Sequence, residues 1–183
     1  SRVTYDAMLL DAYLPLATGL ADCLRSSARV ADVACGTGHA LVLLARAFPT
    51  SAFVGYDLGE GAIARARAEA GGAGLTNVRF VVCDAARLQV DEPFDAVFVF
   101  AAVHDQVDPD AVLARIHAAL APRGWFVMKE PHAADALGGP IGVAAEQRVI
   151  LRRTKEAHDA KLLDQLVPQL LRAGFIQCPF LQV

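Results

Sequence analysis

The sequence predicts an α/β fold with one doubly wound, mostly parallel sheet, helices on both of its faces, and short helices before its first strand. From Arg29 onward, short runs of β-type residues alternate with segments of helical periodicity, and this alternation is typical of parallel sheets with crossover helices. The chain has 183 residues, of which 55% are hydrophobic, so one compact domain can bury a large core. We therefore expect a single domain over residues 1–183.

The first 28 residues are expected to form an N-terminal helical entry or lid segment. Leu9 and Tyr13 belong to a set of apolar residues at helical spacing, and Pro15 and Gly19 are expected to separate two short helices. Tyr5 and Tyr13 fit a buried core at this spacing, and a lid over a ligand is the alternative.

Residues 29–135 are predicted to form the cofactor-binding core. The helix over residues 108–124 has an Asp residue at its expected N-cap, Asp108, followed by Pro109. The predicted strands are 29–34, 51–58, 77–85, 94–103 and 125–130, and the predicted helices are 39–48, 61–74 and 108–124.

The C-terminal region, residues 136–183, is less regular. The pattern predicts a helical stretch from about Ala144 to Ala173, with a kink or boundary at Pro168, and a last strand that begins after Gly174.

Charge and cysteine content disfavour several classes of function. Lys and Arg number 17 against 20 for Asp and Glu, and the net charge of −3 provides no field that attracts nucleic acid. The four cysteines show no metal-ligand spacing, so no metal site is expected, and they indicate thiols in a reducing, cytoplasmic compartment. No apolar run reaches about 18 residues, so no membrane span is predicted.

A turn of small residues follows the first predicted strand, where ligands bind in doubly wound folds. It runs Asp32-Val33-Ala34-Cys35-Gly36-Thr37-Gly38. The dinucleotide pattern G-x-G-x-x-G/A fits neither register, because Leu41 or His39 falls on its last position. An NAD-dependent oxidoreductase is therefore disfavoured.

Acidic residues end the next two strands. A carboxylate at Asp57 can accept hydrogen bonds from both ribose hydroxyls of an adenosine, with Leu58 packed on the adenine. Asp84 can accept from the adenine amino group while the backbone N–H of Ala85 donates to the ring. The alternative for each aspartate is a helix cap, but three acidic strand ends in this order favour a cofactor site.

These segments resemble one family of proteins. DVACGTGHA, FPTSAFVGYDL, GLTNVRFVVCDA, FDAVFVFAAVHDQVDP and LAPRGWFVM together are similar to bacterial S-adenosylmethionine-dependent methyltransferases of the Rossmann-like class that often carry an N-terminal winged helix. The resemblance covers about residues 5–135 and implies S-adenosylmethionine as cofactor. It places Asp32, Gly36 and Gly38 in the glycine motif, with Ala34 where a glycine is usual.

Two further departures separate the chain from that family. Ala101 stands where relatives tend to have an acidic residue, and Arg123 interrupts the usual Pro-Gly-Gly turn. The predicted cofactor-binding residues are Asp32, Ala34, Gly36, Gly38, Asp57, Leu58, Asp84, Ala85 and Phe100.

Methyl transfer to oxygen or nitrogen usually needs a base within reach of the nucleophile. His104, after the fourth strand, is the candidate catalytic base, and the alternative is a structural loop histidine. Glu130 and His132 end the fifth strand, and Glu130 fits a polar residue at the pocket rim better than a base.

The leading hypothesis is a metal-independent methyltransferase that acts on a small-molecule acceptor. The alternative is a regulatory module that binds S-adenosylmethionine without transferring the methyl group, and Ala34 and Ala101 favour it slightly. The expected partners are the small-molecule acceptor and a second copy of the chain, without membrane or nucleic acid.

Overall fold

The computed structural model describes residues 2–17, 19–131 and 146–152. In this part of the chain, six strands form one sheet in the order β3-β2-β1-β4-β5-β6. The first five strands run parallel, and β6 pairs with β5 in the antiparallel direction. The strand order reverses between β1 and β4, which is the position where doubly wound folds bind their ligands.

The predicted succession of elements from the first strand to the fifth is confirmed, except that residues 120–124, predicted as the end of a helix, belong to the fifth strand. Asp108 caps α5 as expected, because its side chain accepts a hydrogen bond from the backbone N–H of Ala111. The strands are β1 (Arg29–Val33), β2 (Ala52–Asp57), β3 (Val78–Val82), β4 (Phe94–Phe100), β5 (Leu120–Pro131) and β6 (Glu146–Arg152). The helices are α1 (Arg2–Met8), α2 (Leu20–Arg25), α3 (His39–Ala47), α4 (Glu60–Gly72) and α5 (Pro109–Ala119).

The N-terminal helices lie on the same side of the sheet as α3 and α4. Helix α1 continues into a π-helical turn, Leu9–Tyr13, and a short 3₁₀ turn, Leu14–Leu16. Leu9 and Leu20 are buried with residues of α3 and α4 in one apolar layer, while α5 covers the opposite face of the sheet with a second layer. Because fully burying a leucine side chain contributes about 1.5–3 kcal/mol, both layers stabilise the sheet that carries the site.

The predicted helix from Ala144 to Ala173 is wrong over residues 146–152, which form β6. This segment, EQRVILR, contains a short apolar run, and periodicity alone does not distinguish helix from strand in such a run. β-branched Val149 and Ile150 favour the strand. Pairing with β5 also satisfies the hydrogen-bonding groups along an otherwise open edge.

The rest of the C-terminal predictions, including the strand after Gly174, falls outside the described residues. The assignment of residues 1–183 to one domain therefore stays a prediction. None of the helices that the structure describes is long and apolar enough to cross a membrane.

Candidate cofactor site

Two cavities adjoin at the carboxyl ends of the parallel strands. The larger, about 500 Å³, lies beyond the ends of β2 and β3 and beside the loop after β4. The smaller, about 270 Å³, lies between the end of β1, the start of α3 and the side chains of Tyr5 and Phe100. Ala34 lines both cavities. Their position at the reversal of strand order is the one that the sequence predicted for a ligand.

The turn between β1 and α3 has an unusual backbone. Ala34, Gly36 and Gly38 all have positive φ angles, of 57°, 56° and 73°. The backbone N–H of Gly38 donates to the carbonyl oxygen of Cys35 at 3.0 Å, which closes the turn. Ala34 therefore occupies a left-handed conformation that favours glycine and costs an alanine about 1 kcal/mol.

The two glycines of this turn are required for different reasons. A Cβ atom on Gly38 would lie 2.4 Å from the ring of Phe80 and 2.8 Å from the Cβ of Ala66, so Gly38 permits α3 to pack against β3 and α4. A Cβ on Gly36 would meet no atom within 4 Å. Gly36 thus leaves open space at the turn, whereas Gly38 is needed for packing.

Asp57, at the end of β2, is hydrogen-bonded to this turn. One carboxylate oxygen accepts from the backbone N–H of Gly36 at 2.7 Å, and the other accepts from the backbone N–H of Gly59 at 2.8 Å. A carboxylate offers about four acceptor positions. Two positions therefore hold the backbone, and the remaining capacity is compatible with two ligand hydroxyls in the larger cavity.

Asp32 is a buried acid at the end of β1. It is 2% exposed and lines the smaller cavity, and its Oδ1 atom has no hydrogen-bond partner among the described residues. Burial, and then the negative charge of Asp57, raises the pKa of Asp32 well above its usual value. A buried carboxyl of this kind is suited to a cationic ligand group, which would complete its hydrogen bonding.

The residues predicted to surround the adenine lie along the larger cavity. Leu58 is 71% exposed, Ala85 is buried, and both line the cavity. The carboxylate of Asp84 accepts from the backbone N–H of Ala86 at 3.0 Å. Asp84 thus caps a short 3₁₀ turn, Ala85–Arg87, as its alternative interpretation predicted, and it still faces the cavity.

Aromatic rings form one wall of the smaller cavity. Phe100, at the end of β4, has its ring centroid 5.4 Å from that of Tyr5 in α1. Tyr5 lines the cavity and is only partly buried, so it belongs to the site as well as packing on the core. Tyr13 lies in the core, as predicted.

His39 was not predicted as a site residue. It lines the smaller cavity, with Nδ1 2.5 Å from a carboxylate oxygen of Glu69 and Nε2 2.8 Å from one of Asp6. This bridge connects α1, α3 and α4. Two features of the sequence are related to this bridge: His39 directly follows Gly38, and Asp6 is an acidic residue within an apolar stretch. Neither feature indicates which residues pair with each other.

For the candidate catalytic residues His104 and Glu130, the structure describes the backbone positions. His104 lies in a 3₁₀ turn, Val103–Asp105, between Phe100 of the smaller cavity and Asp105 of the larger one. Glu130 lies in β5, opposite Gln147 of β6. The side chains of His104 and Glu130, and His132 as a whole, fall outside the described part of the chain.

A family model described as a methyltransferase domain matches residues 24–167. This match covers more than half of the chain. The chain belongs to this methyltransferase domain family. Methyltransferase domains of this Rossmann-like class use S-adenosylmethionine as methyl donor, in agreement with the glycine motif and the two cavities.

Named relatives support the same family. This methyltransferase domain is 36% identical over 109 residues to trans-aconitate 2-methyltransferase of Variovorax paradoxus, covering 59% of the chain and 40% of the relative. It is 35% identical over 114 residues to the ubiquinone/menaquinone biosynthesis C-methyltransferase of Geobacter sulfurreducens, covering 59% and 44%. The chain thus spans less than half the length of these relatives.

Solved structures confirm the fold of this methyltransferase domain. The crystal structure of the [4+2]-cyclase SpnF superposes with a TM-score of 0.54 at 28% identity, covering 61% of this chain and 43% of that one. A protein named as a cyclase therefore shares the fold. Methyl transfer has to be argued from the site, because the fold hosts more than one chemistry.

Proposed function

We propose that this chain transfers a methyl group from S-adenosylmethionine to an oxygen or nitrogen atom of a small molecule. One observation carries the proposal: two adjoining cavities meet at Ala34, beyond the ends of β1, β2 and β3. Each of these strands has an aspartate at its last residue or within two residues of it, and these residues, Asp32, Asp57 and Asp84, line the cavities. The volume of the larger cavity lies within the roughly 300–1,000 Å³ of small-molecule sites.

The larger cavity suits the adenosine part of the cofactor. The acceptor capacity that Asp57 retains beside Gly36 and Gly59 serves the two ribose hydroxyls. Exposed Leu58 packs against one face of the adenine, and binding of the ring removes this apolar side chain from water. The carboxylate of Asp84 accepts a hydrogen bond from the adenine amino group, and the backbone N–H of Ala85 donates one to the ring.

The smaller cavity suits the methionine part. Asp32 is assigned to the ammonium group of the cofactor, since its buried Oδ1 has no partner in the described residues and an opposite charge stabilises the ionised carboxylate. Gly36 and Gly38 let the chain approach the cofactor closely at the start of α3. Phe100 lines the side of this cavity next to β4.

The bound cofactor supplies an electrophilic methyl group. The chain has to hold the acceptor in line with that group and remove a proton from it. We assign the removal of this proton to His104, whose backbone lies between residues of the two cavities. Glu130 is placed at the rim of the pocket. No group of three His, Cys, Asp or Glu side chains is arranged to hold a metal ion among the described residues.

A non-catalytic module that binds S-adenosylmethionine is the second candidate. The positive φ angles of Ala34 (57°) and Ala101 (52°) favour it, because both residues are strained at the site where the family pattern has other residues. This candidate predicts cofactor binding of ordinary strength without turnover.

The acceptor class, compartment and assembly are also proposals. One named relative is a trans-aconitate methyltransferase and the other a C-methyltransferase of ubiquinone and menaquinone biosynthesis, so small organic acids and aromatic ring compounds are the acceptors to test first. Of the described cysteines, Cys35 and Cys83 are free thiols, in keeping with the cytoplasm. With a net charge of −3, a nucleic-acid acceptor is not expected, and a homodimer is the assembly to test.

The experiment is a transfer assay with S-adenosylmethionine labelled in its methyl group and a panel of small acids, phenols and amines. We expect label in at least one acceptor. In His104→Ala, we expect the rate of methyl transfer to fall about a hundredfold, with cofactor affinity nearly unchanged. Cofactor binding without label in any acceptor supports the binding module. An unchanged transfer rate in His104→Ala contradicts the assignment of the base.

A further inference from the structure

Lys129 is a buried cation beside the smaller cavity. It lies on β5 in register with Phe100 of β4 and is 8% exposed. Its Nζ atom lies 5.3 Å from the ring centroid of Tyr5 and 5.1 Å from that of Tyr13. Both distances are within the range of about 6 Å at which an ammonium group is attracted to an aromatic face.

Both tyrosines belong to residues 2–17, which we call the N-terminal segment. The side chain of Tyr5 lines the smaller cavity, and its ring centroid lies 5.4 Å from that of Phe100. Lys129 therefore contacts one side chain that lines the cavity, Tyr5, and, through Tyr13, the following turn of the same segment.

The N-terminal segment is also attached on the other side of the cavity. The carboxylate of Asp6 lies 2.8 Å from Nε2 of His39, which follows the glycine turn. Consecutive residues, Tyr5 and Asp6, thus contact opposite walls of one cavity, the first at the ends of β4 and β5 and the second at the start of α3. The N-terminal segment is thus attached on two sides of the smaller cavity.

We propose that Lys129 is a positioning residue that holds Tyr5 against Phe100 and so keeps the N-terminal segment closed over the methionine end of the cofactor. The identity of the enclosed ligand rests on the proposed function, whereas the attachment of the segment does not. Lys129 does not touch the reacting atoms. It acts through the Tyr5 ring and slows the release of the cofactor product, S-adenosylhomocysteine.

The test compares three variants. Lys129→Met keeps the long apolar stem without the charge, and Lys129→Arg keeps a cation that stacks on aromatic rings. Arg29→Met is the matched control, because the guanidinium carbon of Arg29 lies 5.5 Å from the ring of Phe94 and this contact belongs to neither cavity. The readouts are amide hydrogen exchange over residues 2–17 in the cofactor-free chain and the dissociation rate of S-adenosylhomocysteine.

Lys129→Met is expected to speed both exchange over residues 2–17 and dissociation by about tenfold, since two cation–ring contacts are lost. Lys129→Arg is expected to stay within about twofold of the parent, and Arg29→Met to leave both readouts unchanged. If Lys129→Met leaves exchange over residues 2–17 unchanged, or if Arg29→Met has the same effect, the proposal is overturned.

Two further outcomes are possible: Lys129→Met does not fold, or the parent does not bind S-adenosylhomocysteine. If Lys129→Met does not fold, Tyr5→Leu removes the partly buried ring and leaves Lys129 in place, and unchanged exchange and dissociation in that variant overturn the proposal. If the parent does not bind S-adenosylhomocysteine, the proposed function fails and the part of the proposal that concerns release falls with it. The exchange measurement on the cofactor-free chain still decides whether Lys129 holds the segment.

Discussion

The Asp57 carboxylate accepts a hydrogen bond of 2.7 Å from the backbone N–H of Gly36, and this contact ties the end of β2 to the turn after β1. Two strand ends of the predicted site are therefore joined before any ligand binds. The contact fixes a carboxylate that lines the larger cavity and supports the turn in its left-handed conformation.

Replacing Asp57 with alanine is expected to weaken S-adenosylmethionine binding by at least about tenfold. The reason is the loss of charge-assisted hydrogen bonds, worth roughly 1.5 to 3 kcal/mol, to the ribose and to the turn. Calorimetric titration measures the change. Asp95→Ala is the matched control, because Asp95 accepts from the backbone N–H of Arg29 at 2.8 Å and lines neither cavity. Equal affinity in a folded Asp57→Ala protein would remove this carboxylate from the site.

Substitutions of the two glycines of the turn are expected to have different effects on cofactor binding and stability. Gly36→Val should abolish cofactor binding, because its side chain enters the space at the turn, and should leave a folded but less stable domain, because a β-branched residue is strained at a φ of 56°. Gly38→Ala should lower thermal stability, because the new methyl group overlaps Phe80 and Ala66. Calorimetric titration measures the affinity of each variant, and circular dichroism and melting curves show whether it is folded and how stable it is. Normal affinity in Gly36→Val would mean that this turn does not bind the cofactor.

Ala34→Gly is expected to stabilise the fold by about 0.5–1 kcal/mol, since it relieves the cost of a positive φ angle at a residue with a Cβ atom. The same substitution should tighten cofactor binding, because Ala34 lines both cavities. Arg123→Gly is the control: Arg123 also has a positive φ, of 67°, but lies outside both cavities. Chemical denaturation should show a gain for both variants, and titration a gain in affinity for Ala34→Gly alone. A loss of stability in both would contradict the strain argument.

Asp32→Asn is expected to raise the melting temperature at pH 7 and to weaken cofactor binding. Burial, and then the charge of Asp57, raises the pKa of Asp32 in the folded chain. The folded state therefore binds more protons than the unfolded state above about pH 4, and its free energy of unfolding falls as the pH rises through the folded pKa.

Melting curves between pH 5 and pH 8 measure this effect, at about 2–4 °C per kcal/mol for a chain of this length. The slope of stability against pH should flatten in Asp32→Asn and stay as in the parent in Asp91→Asn, which alters an exposed acid. A lower melting temperature for Asp32→Asn at pH 7 would show that the carboxylate stabilises the cofactor-free fold.

Much of the fold follows from local pattern. Alternating strands and helices, the Asp108 cap and the glycine turn are local signals, and all three are confirmed in the structure. The strand β6 was predicted as helix because its pairing with β5 is a contact between distant residues. Periodicity within seven residues contains no information on such a partner.

Part of the candidate site was predictable in the same way. Asp32 and Asp57 were predicted to lie together because the carboxyl ends of parallel strands meet at one edge, and both line the cavities there, whereas their roles in binding stay predictions. The His39 bridge to Asp6 and Glu69, and the position of Lys129 between two tyrosine rings, were not predicted. Both depend on how the N-terminal helices lie on the sheet, and sequence spacing does not specify that packing.

Calorimetric titration of the parent chain shows whether the two cavities joined at Ala34 bind S-adenosylmethionine. We expect saturable one-to-one binding of S-adenosylmethionine and S-adenosylhomocysteine. We expect no binding of NAD, because the turn lacks the dinucleotide spacing. A folded chain that binds NAD, or that binds neither S-adenosyl compound, would mean that these cavities are not a site for S-adenosylmethionine.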